Sequence, residues 1–164
     1  MEKHLFNGDD FHSRVKKVYF GETGPVIYKK AAEIAVVEYP VLHHNPAETG
    51  IRAGGGGKAV SRWIFSEDNG QAEGLSSTDF NLMIDFSLEP GACMGLHLHH
   101  DKEEFYYILA GSITLTTVDT DSREYTEELH TGDAHMTRLG QGHYGQAGPE
   151  GVRILTVCVN RKSS

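Results

Sequence analysis

A chain of 164 residues with 38% hydrophobic and 23% charged residues has the size and composition of one soluble globular domain. Its formal net charge of −8 argues against a nucleic-acid partner, which needs a basic surface. Two cysteines, Cys93 and Cys158, are too few for a disulfide framework. The N-terminus lacks an apolar core of signal-peptide length, and no stretch approaches the ~20 apolar residues of a membrane helix, so a cytoplasmic protein with no membrane partner is expected.

Along the chain, a helical piece is expected near residues 8–18, and residues 31–39, rich in Val and Ile and closed by Pro40, read as a strand. The pair His43-His44 sits in a proline-bounded loop and is expected to face solvent. The run Gly54-Gly55-Gly56-Gly57-Lys58 lacks both ends of a phosphate-binding loop and reads as a flexible loop, with a lid over a pocket as its functional alternative. Further strands are expected at 62–65, 81–88, 105–109, 112–118, 124–129, 133–138 and 152–159, with a turn at 119–123. In 81–88 the residues Leu82, Ile84, Phe86 and Leu88 share one face. Short strands at this spacing, with turn signals between them and nineteen glycines in the chain, predict an all-β sandwich or barrel.

The segment from Gly91 to Gly111 carries the chemistry. Alternate residues of a strand share a face, so His97 and His99 can address one ion, and His143 follows a Gly-rich turn further on. Three imidazoles and a carboxylate suit a divalent transition metal. Glu103 and Glu104 compete for the carboxylate role; Glu104 is preferred because its register also turns Ile108 inward. The same parity turns Tyr106 inward, where a phenol near a metal can act as acid or base, and His135 is a second such candidate. His100 points away from His99, Cys93 reads as small core filler, and Glu124, Glu127 and Glu128 read as a solvated strand face.

The chain resembles the cupin superfamily. The first cupin motif, G-x5-H-x-H-x3,4-E-x6-G, is filled at every fixed position by Gly91, His97, His99, Glu104 and Gly111. The second, G-x5-P-x-G-x2-H-x3-N, is met by Gly132, Gly140 and His143, with Arg138 in place of proline and Ala147 in place of asparagine. The resemblance spans residues 91–147 and implies a single-domain β-barrel of jelly-roll type, its core at 76–160, with one ion held inside by His97, His99, Glu104 and His143. It also implies frequent homodimers, with residues 1–75 as N-terminal strands and loops packing on the barrel or on a partner.

Ligand types alone leave Fe, Mn, Ni, Co and Zn open. The expected function is a metal-dependent enzyme acting on a small organic molecule that chelates the ion beneath apolar cover from Ile84, Phe86, Ile108, Leu115 and Ile154. Its chemistry is expected to be dioxygenation or Lewis-acid isomerisation, cyclisation or elimination. The spacing Glu104-x-Tyr106 is similar to that of cupin lyases that cleave dimethylsulfoniopropionate. The alternative from another class is a small-molecule binding or sensing protein without turnover.

Overall fold

A computed structural model describes residues 28–40, 57–68 and 73–161. The expected helix, the His43-His44 pair and residues 54–56 of the glycine run lie outside the described residues. The described chain forms β1 (Ala35–Pro40), β2 (Lys58–Ser66), β3 (Phe80–Leu88), β4 (Cys93–Leu98), β5 (Lys102–Val118), β6 (Glu124–His130), β7 (Ala134–Thr137) and β8 (Gly142–Asn160). All pair antiparallel, in the order β1-β2-β3-β8-β5-β6, with β4 also on β8 and β7 also on β5. The result is the jelly-roll barrel expected from the sequence, although among the described residues its sheet does not close into a ring.

Two long strands organise the molecule. The first half of β5 runs between β7 and the second half of β8, and its last seven residues run between β6 and the first half of β8. The crossing from one ladder to the other falls at residues 108–113, where the register shifts twice. Gly111 adopts φ +76° there, and a Cβ on it would stand 2.0 Å from the Gly151 carbonyl oxygen. Only glycine combines that backbone conformation with so close an approach.

The elements depart from expectation in three places. The first strand begins at Ala35, because residues 31–33 form a 3-10 turn in which the Glu33 carboxylate accepts from the Lys30 N–H at 2.7 Å. The stretches 105–109 and 112–118 belong to one strand. The stretch 152–159 is only the second half of β8, whose first half reads as a glycine-rich turn and loop. Those glycines mark crowding instead: at Gly142 a Cβ would lie 2.8 Å from the His97 carbonyl oxygen.

Alternation along the strands delivers the core. Phe86, Leu88, Met94, Ile108, Ile113, Leu115 and Ile154 are buried in one cluster, with Ile84 packed against it. Each such side chain contributes about 1.5–3 kcal/mol when fully removed from water. On β5 the burial alternates from Glu104 to Ile108, so Glu104, Tyr106 and Ile108 face inward while Phe105 and Tyr107 face out. This is the parity expected from the sequence.

Candidate metal centre

Two rows of cross-strand neighbours meet inside the barrel. One row runs Cys158 (β8), Glu104 (β5), Thr137 (β7), and the other His97 (β4), His143 (β8), Thr117 (β5). His99 lies one residue beyond β4, where its N–H donates to the Gln141 carbonyl at 2.9 Å and its carbonyl accepts from the Gly140 N–H at 2.6 Å. That double clamp fixes the second histidine of the pair beside the first. Glu104, and not Glu103, joins the group.

The four residues offer donor atoms that all lie within 4.8 Å of one another. His143 Nε2 is 2.8 Å from His97 Nε2, 3.3 Å from His99 Nε2 and 3.0 Å from Glu104 Oε2. Glu104 Oε2 is 3.5 Å from His99 Nε2 and 3.9 Å from His97 Nε2. Donors about 2.1 Å from one ion stand about 3.0 Å apart in octahedral and about 3.4 Å apart in tetrahedral geometry, so the cluster has the right dimensions. The protons point the same way. The Gly95 carbonyl can only accept, so at 3.0 Å it takes the Nδ1 proton of His97 and leaves a lone pair on Nε2. Glu104 Oε2 is buried and accepts no hydrogen bond. One proton on His143 Nε2 cannot serve His97, His99 and Glu104 together, whereas a cation at their common centre can.

Burial drives the imidazoles of His143 and His99 down to about 3 and about 4, so both are neutral at neutral pH. Burial pushes the Glu104 carboxyl up, but the facing imidazoles of His143, His97 and His99 outweigh it and hold the group well below the usual carboxylate range. Neutral imidazole beside ionised carboxylate is the protonation state that metal binding requires.

Outer partners orient three of the four. The Cys158 thiol donates to Glu104 Oε1 at 3.4 Å, and burial pushes that thiol well above its ordinary value, so it remains a donor. The Thr137 hydroxyl is 2.9 Å from His143 Nδ1 and 3.2 Å from His135 Nε2, and Thr117 Oγ1 is 3.4 Å from the same His135 nitrogen. The chain His143–Thr137–His135 therefore leads from the cluster to a half-buried imidazole that burial keeps below its ordinary value. Tyr106 faces the site, its ring 5.2 Å from that of His143, but its hydroxyl donates to Met94 Sδ at 3.3 Å. His100 is exposed and Cys93 is buried.

His135 also lines a cleft of about 430 Å³ between β6 and β7, together with Tyr125, Glu127, Leu129, Arg138 and Gln141. Leu129 is buried, but Tyr125 on the same inward face of β6 is 51% exposed, so the barrel is open along this edge.

A family model described as "Cupin domain" matches residues 84–158, which contain all four clustered residues. Residues 84–158 form a cupin domain. Among curated proteins, this cupin is 34% identical over 74 residues to an oxalate decarboxylase of Bacillus subtilis (strain 168). That match covers 45% of the chain but only 19% of the relative, so it spans about a fifth of that protein's length. Among solved structures, a protein described as a predicted oxalate decarboxylase from Thermotoga maritima superposes with a TM-score of 0.58 at 20% identity, covering 82% of this chain and all of that one. An oxalate decarboxylase of Lactobacillus farciminis, solved as a formate complex, gives a TM-score of 0.53 at 26% identity, covering 70% of this chain and 30% of that one.

Sequence reasoning missed Cys158 and Thr137 as partners of the cluster and Thr117 as a partner of His135. Thr137 shares strand parity with His135 and was within reach of the same argument. Cys158 was not, because it meets Glu104 only through the β5–β8 register.

Proposed function

We propose that this cupin is a mononuclear metalloenzyme in which His97, His99, Glu104 and His143 hold one divalent transition-metal ion and a small organic molecule binds beside it. The observation that carries this reading is the convergence of four buried or half-buried donors, with Glu104 Oε2 accepting no hydrogen bond. Such an ion supplies Lewis acidity toward a substrate oxygen or a site for dioxygen. Glu104 contributes the one negative charge of the set, the Gly95 carbonyl fixes the His97 tautomer that leaves the Nε2 lone pair facing inward, and Thr137 orients the His143 ring through Nδ1.

Of the two acid–base candidates, the geometry favours His135. It is neutral, borders the cleft and is joined to the cluster through Thr137, whereas the Tyr106 hydroxyl is engaged with Met94 and shapes the wall. The likeness to oxalate decarboxylases supports lyase-type chemistry on an oxygen-chelating substrate over dioxygenation. A cupin that only bound or sensed its ligand would need no such proton-transfer group. Two free, buried cysteines fit the reducing conditions of the cytoplasm; no helix among the described residues is long and apolar enough to cross a membrane.

Elemental analysis of untagged protein tests the site: about one equivalent of metal is expected. His99→Ala and His143→Ala should each lose most of that metal while keeping a β-type circular dichroism spectrum. Unchanged metal in both variants overturns the assignment. Iron would direct assays to oxygen consumption, and manganese, nickel, cobalt or zinc to elimination and decarboxylation.

The outward face of the sheet supports a homodimer. Met136, Phe105, Val157, Met83 and Phe65 are successive cross-strand neighbours over five strands. Phe105 and Met136 are 38% and 37% exposed, with Tyr107 48% exposed beside them. A second copy of the chain on this face would bury the row. Light scattering should give twice the chain mass, and Phe105→Glu with Tyr107→Glu should give the monomer; a monomeric wild type excludes this reading.

A further inference from the structure

We propose that the cleft between β6 and β7 is the binding site for a small organic acid, whose carboxylate is held by Arg138 at the rim. The cleft's volume of about 430 Å³ is that of a small-molecule site. Tyr125 and Leu129 give it an apolar wall, and Arg138 supplies a cation at its edge.

The backbone of Arg138 is anchored in its turn. Its N–H donates to Gln141 Oε1 at 2.9 Å, its carbonyl accepts from the Gln141 N–H at 3.1 Å, and Gln141 Nε2 donates to Asp119 Oδ1 at 3.2 Å. The same turn is clamped to His99 through Gly140 and Gln141, so the rim and the metal-ligand cluster form one piece. Among the described residues the Arg138 guanidinium makes no ion pair. Asp119, the acidic neighbour, accepts from the Thr120 N–H at 2.8 Å and from Gln141 instead. An arginine whose backbone is anchored at the edge of a cavity, its exposed guanidinium acting electrostatically on Asp119 but forming no ion pair among the described residues, suits a carboxylate ligand.

Glu127, on the β6 wall, sets the orientation. It disfavours an anion deep in the cleft and acts electrostatically on His135. A ligand with its carboxylate on Arg138 therefore turns a neutral or hydrogen-bond-donating end toward Glu127 and His135, next to the metal cluster. The identity of the ligand as substrate rests on the metalloenzyme reading above; the acid-binding cleft does not.

The test is titration of the as-purified protein, and of chelator-treated protein checked for intact circular dichroism, with benzoate and its neutral counterpart benzamide, followed by ligand-observed NMR. Wild type should bind benzoate in both forms. Arg138→Gln should weaken that binding at least ~10-fold, and Arg138→Lys by less, because an ammonium keeps the charge without the fork. Benzamide should bind equally weakly to all three. Equal benzoate binding by wild type and Arg138→Gln, or none by wild type up to about 20 mM, overturns the proposal. Benzoate binding that needs the metal and ignores residue 138 also overturns it, and leaves the metalloenzyme reading standing. Loss of the metal reading with benzoate binding still dependent on Arg138 would separate the two the other way.

Discussion

Cys158 holds a protonated, buried thiol against the outer oxygen of Glu104, at 3.4 Å, and so leaves Oε2 to face the three imidazoles. Replacing it with alanine strands a buried carboxylate oxygen. Cys158→Ala should lower metal affinity about 10-fold, read by competition with a coloured chelator, and Cys158→Ser should restore most of it. Thr137→Val removes the hydroxyl shared by His143 and His135 with little change in volume. It should weaken metal binding by a similar factor, whereas Thr137→Ser should not. At this scale the legible part of the site was the part written in local parity. His97 and His99 lie two apart on one face, and Glu104 shares its face with Tyr106 and Ile108. Cys158 and Thr117 join the site through strand registers that connect residues far apart in sequence, and no local pattern encodes those registers.

The elements were legible wherever apolar alternation is strong, as in Leu82–Leu88 and Val152–Val159. They were obscured where glycine replaces side chains for lack of room. The first half of β8 reads as a loop because Gly142, Gly145 and Gly148 interrupt it, yet each sits where a neighbouring strand presses close. Likewise Gly111 splits β5 in the sequence but lets one strand pass continuously from one ladder to the other. Gly111→Ala would combine a positive φ with a clash against the Gly151 carbonyl, and should cost roughly 3 kcal/mol or more in urea unfolding. Gly132→Ala, with φ +94° but nothing near its Cβ, should cost only about 1 kcal/mol and serves as the comparison.

For the whole molecule, the cluster couples stability to pH. His99 and His143 are held to about 4 and about 3 in the folded state, below the ordinary value of 6.5. Between these limits the unfolded chain binds more protons, so stability rises with pH and is lost as pH falls from 6.5 toward 4. Metal-free protein should lose roughly 3 kcal/mol between pH 7 and pH 5 in denaturant titrations. Substituting both histidines with glutamine should flatten that slope, and an unchanged slope would show that other groups drive it.

The open edge between β6 and β7 carries a final consequence. These strands are joined in sequence by a short turn, among the described residues each pairs only with β5, and the cleft lies in the seam between them. Sealing the seam with a cross-link or further backbone pairing would satisfy two raw strand edges and raise the melting temperature. It would also wall off His135 and Arg138. In this barrel, resistance to unfolding and access for a ligand compete for the same few ångströms of unpaired backbone, so variants selected for heat tolerance alone should drift toward a closed, inert form.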